Sequence, residues 1–515
     1  MGDGSPQVAN DSEASVSARI AWLGRVGAPL LAVLVYALAS LDDGMSPAAR
    51  ATAAIGVLMA ILWMTEAMPL PATALLPIVL FPASGVLAVR DATAPYADPV
   101  IFLFMGGFIL ALAMERWGLH KRIALVTVLL VGTRPRALIA GFMLATGVLS
   151  MWISNTATAV MMLPIATSII ALASERFEAS GEVDPAASAR FAVCLLLGIA
   201  YSASIGGVGT PIGTPPNAVL IGFVQQEFDI TIGFGEWMAV GAPFSAVFGV
   251  ITWAMLVYVL YPVRIRELPG GRALIRTELQ RLGPMSRAEW MVFVVFLTTA
   301  TLWIFRQRLA GWDWLAGAAP VVTRIDDTVI AIAAAALLFA LPVEPRRGVF
   351  VMNWTFAKRL PWGVLLLFGG GLSLARAVGA SGLDEWLGAQ VGALGWLPTL
   401  ALVIVITTVV VFLTEVTSNT ATATTFLPIL AGVGVGLGVN LPTLLVPAAI
   451  AASCAFMMPV ATPPNAIVFG SGRVTIGQMV KVGIWLNLIG IVLITVLTYT
   501  LVQWTFVATY SGGQP

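Results

Sequence analysis

Ser154-Asn155-Thr156-Ala157-Thr158 interrupts an apolar stretch, and the same five residues recur 264 positions later as Ser418-Asn419-Thr420-Ala421-Thr422. The match extends outward from both copies. At the same offset, Phe104-Met105-Gly106-Gly107 falls on Phe368-Gly369-Gly370-Gly371, and Pro164 falls on Pro428. A second shared word, Thr-Pro-Pro-Asn, stands at 214–217 and at 462–465, an offset of 248. The first half therefore holds 16 more residues between its two words. The polar stretch Ser174–Ser188 is expected to take up most of them as a surface loop. Duplication at a fixed offset predicts two structural repeats.

The solvent of those repeats follows from composition. The chain of 515 residues is 59% hydrophobic, only 10% charged, and has a mean hydropathy of +0.93. A soluble domain carries about 25% charged residues, so lipid is the remaining natural solvent. Apolar runs able to cross about 30 Å of hydrocarbon recur from 20–41 through 481–507. Strand alternation is absent, so these are helices. The expected fold is an all-α polytopic membrane protein. It has two inverted repeats, about 11 transmembrane helices and further short pieces that enter the membrane and turn back.

Charge gives boundaries and orientation. The segment 264–287 carries Arg264, Arg266, Arg272, Arg276, Arg281 and Arg287, and Arg19 and Arg25 flank the start of the first apolar run. The positive-inside rule places both regions in the cytoplasm. The expected organisation is a polar, disordered N-terminus at 1–18, a first transmembrane helix at 19–49, and repeat 1 at 50–263. The Arg-rich linker follows at 264–287, then repeat 2 at 288–507 and an uncharged tail at 508–515. A net charge of +1 gives no hint of a nucleic-acid partner. Cys194 and Cys454 lie in apolar runs and read as small core residues, and the single histidine, His120, excludes a multi-histidine metal site within the chain. No Walker-type phosphate loop is present.

The repeated words carry the chemistry. Three adjacent polar residues cannot share one face of a continuous helix, and an unsatisfied polar group in lipid costs several kcal/mol. A hairpin tip or helix break resolves the conflict, because side chains and loosened backbone groups there can meet a ligand. Asn supplies a donor and an acceptor, and Ser and Thr supply hydroxyls. The paired prolines of each second word also forbid regular helix bonding. Helix N-termini at such breaks favour an anion, and unwound carbonyls hold a cation. A single Ser-Asn-Thr word would read as helix-packing glue; two copies, each followed by Thr-Pro-Pro-Asn, point to a site. No Lys or Arg occurs from Ala137 to Ser174 or from Gly379 to Gly470. An anion held at these words would lack an arginine clamp and would need co-bound cations, which points to cation-coupled symport.

The four words Ser154-Asn155-Thr156, Ser418-Asn419-Thr420, Thr214-Pro215-Pro216-Asn217 and Thr462-Pro463-Pro464-Asn465 resemble those of the divalent anion/sodium symporter (DASS) family. So does the stretch from Tyr96-Ala97-Asp98-Pro99 to Leu119-His120-Lys121-Arg122. The likeness covers about residues 50–505. It implies a homodimer in a bacterial inner membrane, a scaffold and a moving transport domain in each chain, two re-entrant hairpins tipped by the Ser-Asn-Thr words, and elevator-type alternating access. It implies two sodium ions and no organic cofactor. One ion would meet Ser150, Ser154, Asn155 and the Gly213 carbonyl. The other would meet Thr414, the Thr417 backbone, Asn419 and the Ala461 carbonyl. A small dicarboxylate such as succinate, malate or fumarate would lie between Asn155-Thr156 and Asn419-Thr420, near Thr214 and Thr462. A sodium-independent exchanger and a citrate or sulfate carrier of the same family remain alternatives.

Four residues outside this set have competing readings. Glu415, in an apolar run, is either a proton or cation carrier or a brace for the hairpin backbone. Glu66 reads as an interfacial or capping group. His120, between Trp117 and Lys121-Arg122, reads as part of an interfacial belt. Gly379-Ala380-Ser381-Gly382 with His120 as base is the one enzyme-like combination, an intramembrane serine protease.

Overall fold

The computed structural model describes residues 6–180, 185–265, 270–310, 324–391 and 397–507. These residues are almost all helical; the strands present are the short antiparallel pair Pro342–Glu344 and Val349–Phe350. Ten helices among the described residues are long and apolar enough to cross a membrane, against the eleven or so expected. The difference lies in apolar helices too short to cross alone, among them Pro135–Ser150, Asp327–Ala340, Thr399–Thr414 and Leu441–Ala451.

The repeat appears in the helix boundaries. The helices Pro135–Ser150 and Thr399–Thr414 begin and end 264 residues apart, and Asn155 and Asn419 each open the next helix. Leu119 and Leu383 open helices directly after Gly118 and Gly382, whose φ angles of 74° and 72° belong to the left-handed region that glycine enters without steric cost. At the second offset, Pro215 and Pro463 open helices after extended residues Thr214 and Thr462. Proline suits the first helical turn because its missing N–H would have no partner there.

Each half thus contains a helical hairpin and a broken helix. Hairpin 1 is Pro135–Ser150 and Asn155–Ser180, and hairpin 2 is Thr399–Thr414 and Asn419–Leu437. Broken helix 1 is Pro185–Gly207 and Pro215–Phe228; broken helix 2 is Leu441–Ala451 and Pro463–Phe469. Each hairpin packs on the broken helix of its own half. The second helix of each hairpin also touches the second piece of the opposite broken helix. The four elements form one interlocked body, and the two Ser-Asn-Thr tips face its two breaks.

Three expected boundaries differ from those of the described helices. Much of the stretch Ser174–Ser188, expected as a loop, is helical: one helix runs through Ser180 and the next begins at Pro185, and residues 181–184 lie outside the described residues. The stretch expected to be disordered at the N-terminus is helical from Pro6, continuous with the apolar run to Ala39, and residues 1–5 lie outside the description. The first helix ends at Ala39, and Ser46, which accepts a hydrogen bond from Ala49 N, caps a new one at Pro47, inside the span assigned to a single crossing. In the Arg-rich linker, Gly271–Arg281 forms a helix, residues 266–269 are not described, and the tail 508–515 lies outside the described residues.

Hairpin 1 lies against its broken helix backbone to backbone. A Cβ on Gly206 would stand 2.5 Å from Gly147 Cα. Gly206→Val should therefore lower the thermal unfolding temperature of detergent-purified protein by several degrees, corresponding to about 1–3 kcal/mol of overpacking. Gly249→Val, where nothing lies within 4 Å, should leave it unchanged.

Candidate functional site

The site begins with two hydroxyls at helix ends. Ser150 closes the first helix of hairpin 1, and its Oγ donates to Ala203 O at 2.7 Å and lies 2.5 Å from the Asn155 side-chain amide. Thr414 closes the first helix of hairpin 2, and its Oγ1 lies 2.9 Å from Ala452 O and 2.7 Å from Asn419 Oδ1. Both hydroxyls are fully buried. In each half, hydroxyl, asparagine amide and a peptide carbonyl from the broken helix meet where hairpin and broken helix touch.

In repeat 1 the cluster is larger. The Asn155 amide lies 3.1 Å from Ala203 O and 3.2 Å from Gly213 O, besides its contact with Ser150. With its NH₂ turned inward, it donates to all three oxygens. With its carbonyl turned inward, a hydroxyl, an amide and two peptide oxygens converge, an arrangement that a cation stabilises. Gly207 keeps this space open, since a Cβ there would stand 2.8 Å from Asn155 Oδ1 and 2.9 Å from Gly213 O. These donors are neutral hard oxygens, suited to a hard cation. No carboxylate joins them, so a monovalent ion fits better than a divalent one. Among the described residues, no group of three or more His, Cys, Asp or Glu side chains could hold a metal.

The remaining expected ligands divide. Ser154 is exposed, and its Oγ accepts from Ala157 N as a helix cap. The Thr417 hydroxyl lies 2.9 Å from Leu413 O and 2.7 Å from Thr422 Oγ1, inside hairpin 2 and away from Asn419. Ala461 is buried one residue before Thr462, as Gly213 stands before Thr214, but among the described residues no hydrogen bond joins it to Asn419. Thr214, Thr420 and Thr462 are buried and Thr156 is exposed. Thr214 Oγ1 lies 3.3 Å from Ser453 Oγ, in the opposite broken helix.

The breaks themselves are held by side chains that the sequence reading passed over. Asn217 Nδ2 donates to the carbonyls of Gly207, Val208 and Thr210 at 3.3, 3.3 and 2.8 Å. Asn465 Nδ2 donates to Ala455 O at 3.2 Å and Met458 O at 3.0 Å. Each is the last residue of a Thr-Pro-Pro-Asn word, and its repetition was the available signal. The carbonyls of Ala203 and Ala452 could not be found in this way, because no side chain marks them.

Glu415 is the brace rather than a free acid. Its carboxylate accepts from Phe456 N at 2.6 Å, from Met457 N at 2.9 and 3.0 Å, from Met458 N at 3.1 Å, and from Asn487 Nδ2 at 2.7 Å. Its repeat mate Met151 has no carboxylate; there Thr210 Oγ1 donates to Met151 O instead. Glu66 is exposed at the turn after Pro47–Met64 with φ 48°. His120 is buried within the protein: its Nδ1 bonds Met114 O at 3.0 Å, and burial pushes the imidazole down to about 4. Ser381 Oγ donates to Val378 O at 3.1 Å, so the two members of the protease reading are each engaged elsewhere.

With this geometry in view, the comparisons with known proteins are specific. The family model described as "Sodium:sulfate symporter transmembrane region" matches residues 21–509. The chain belongs to this family, the divalent anion/sodium symporters. Sodium-dependent dicarboxylate transporter SdcS of Staphylococcus saprophyticus is 44% identical over 482 residues, covering 93% of this chain and 91% of the relative. The protein of the same name from Staphylococcus aureus is 46% identical over 448 residues, covering 87% and 84%. Among solved structures, the YdaH transporter of Alcanivorax borkumensis aligns with a TM-score of 0.54 at 15% identity, covering 81% of this chain and 88% of that one. MtrF of Neisseria gonorrhoeae aligns at 0.53 and 12%, covering 84% and 85%. At these identities the two structures speak to the fold alone: a multi-pass helical membrane protein.

Glu415→Ala should strand three buried backbone N–H groups and cost about 3 kcal/mol or more, seen as a marked fall in the melting temperature of purified protein. Met151→Ala, which leaves the Thr210–Met151 backbone contact in place, should cost less.

Proposed function

We propose that this chain is a secondary carrier that takes up C4 dicarboxylates such as succinate, malate and fumarate together with sodium. The observation that carries the reading is the pair of hydroxyl–asparagine–carbonyl clusters, one at each hairpin tip, in a region without basic side chains. A dianion placed between Asn155-Thr156 and Asn419-Thr420 has no lysine or arginine to meet it. The N-termini of the helices opening at Asn155, Pro215 and Asn419 supply partial positive charge. Two sodium ions would supply the rest. One sits at Ser150, Asn155, Ala203 O and Gly213 O; the other at Thr414, Asn419 and Ala452 O, with Ser154, the Thr417 backbone and Ala461 O completing the shells as the ions bind. Thr214 and Thr462 flank the substrate. The relatives named as sodium-dependent dicarboxylate transporters support both the ion and the substrate class.

The interlocked body of hairpins and broken helices supports alternating access. It holds both clusters and can move as one transport domain against a scaffold formed by the remaining helices, in the manner of an elevator. Family likeness supports a homodimer in a bacterial inner membrane, and the Arg-rich linker together with Arg19 and Arg25 supports a cytoplasmic N-terminus.

In proteoliposomes, labelled succinate should enter with an inward sodium gradient and not with potassium in its place. Asn155→Ala and Asn419→Ala should each lower the rate at least about 10-fold while still inserting. Thr156→Ala and Thr420→Ala should weaken succinate more than sodium. Uptake only into vesicles preloaded with dicarboxylate would make the carrier an exchanger, and uptake of sulfate or citrate but not succinate would change the substrate class.

A further inference from the structure

The two halves meet through one hydroxyl pair whose position relative to the cation sites is unusual. Thr214 follows Gly213, whose carbonyl belongs to the Asn155 cluster, and Ser453 follows Ala452, whose carbonyl takes the Thr414 hydroxyl. Thr214 Oγ1 and Ser453 Oγ lie 3.3 Å apart, and both residues are buried. One contact therefore joins the residue beside a carbonyl of the first site to the residue beside a carbonyl of the second. The mate of Thr214 is Thr462 at the offset of 248; the counterpart of Ser453 is Ser204, one residue out of that register, because Ala203 takes the Ser150 hydroxyl as Ala452 takes the Thr414 hydroxyl. That second crosslink is not made: among the described residues Ser204 Oγ is buried without a hydrogen-bond partner, and Thr462 Oγ1 accepts from Asn465 N.

We propose that Ser453 is the positioning residue that couples the two cation sites, through its hydroxyl contact with Thr214. The inference rests on the two-sodium reading above. Coupling requires a contact that differs between the states each ligand favours. At 3.3 Å the pair is longer than a usual O–H···O bond, so it has room to tighten. An ion at either site draws its ring of carbonyls inward, Gly213 on one side or Ala452 on the other. The neighbouring hydroxyls then close, and the opposite site is arranged before its own ion arrives. The asymmetry makes the claim specific: Ser453 carries the coupling and Ser204 does not.

The experiment is sodium-dependent thermal stabilisation of the full chain in detergent, with choline replacing sodium and no dicarboxylate present. The wild type should give a sigmoidal response. Ser453→Ala should give a hyperbolic one, with the apparent affinity of the second ion reduced about 5-fold or more. Ser453→Thr, which keeps the hydroxyl, should restore the sigmoid, and Ser204→Ala should behave as wild type. If Ser453→Ala does not fold, Thr214→Val tests the same contact from the other side and should also give a hyperbola. A sigmoid unchanged in Ser453→Ala, or lost equally in Ser204→Ala, overturns the proposal while leaving two sodium sites in place. No sodium-specific stabilisation of the wild type overturns the two-site reading and the coupling with it.

Discussion

The structure depends on a polar contact made where lipid forbids loose ends. At each hairpin tip a helix stops at a buried hydroxyl, Ser150 or Thr414, and that hydroxyl meets an asparagine amide and a peptide carbonyl from a broken helix. In water such groups could be hydrated separately. In a bilayer they must satisfy one another or a ligand. Breaking a helix there exposes carbonyls, and the chain closes each break with the side chains of Asn217, Asn465 and Glu415. What remains inside is a small set of oxygens without a neutralising charge. In the proposed reading, selectivity for a monovalent cation, and the need of an anionic substrate for that cation, both follow from this shortage of charge.

The two halves are alike in backbone and differ in the brace. Glu415 gathers three consecutive N–H groups and Asn487, whereas Met151 at the equivalent position offers no carboxylate and its carbonyl is taken by Thr210. The break in repeat 2 is consequently pinned by charge-assisted hydrogen bonds, which are stronger than neutral ones. The break in repeat 1 is closed by glycines in close approach: a Cβ on Gly209 would meet Met151 Cε at 2.9 Å, and one on Gly207 would enter the cation cluster. A flexible thioether over glycine tolerates movement better than a carboxylate over three amides. The first site is thus the more adaptable of the two, in keeping with an Asn155 amide that can present either its NH₂ or its carbonyl to the same oxygens.

Much of this was legible in the sequence because repetition converts a weak local signal into a positional one. The offset of 264 gave both hairpin tips, and the helix ends at Ser150 and Thr414 obey it. Prolines and glycines marked the breaks for covalent reasons that hold in any fold. The carbonyls of Ala203 and Ala452 are announced by no side chain, because they act through backbone placed by tertiary packing. Near Ser174 polarity and periodicity compete, and the helices continue through Ser180 and again from Pro185.

The central claim is that each hairpin tip holds one sodium ion through its own hydroxyl cluster. Equilibrium binding of radioactive sodium to the purified chain tests it most directly. The account predicts two sodium ions per wild-type chain and one per chain in either Ser150→Ala or Thr414→Ala. Two ions retained in both variants, or none bound by the wild type, would contradict it.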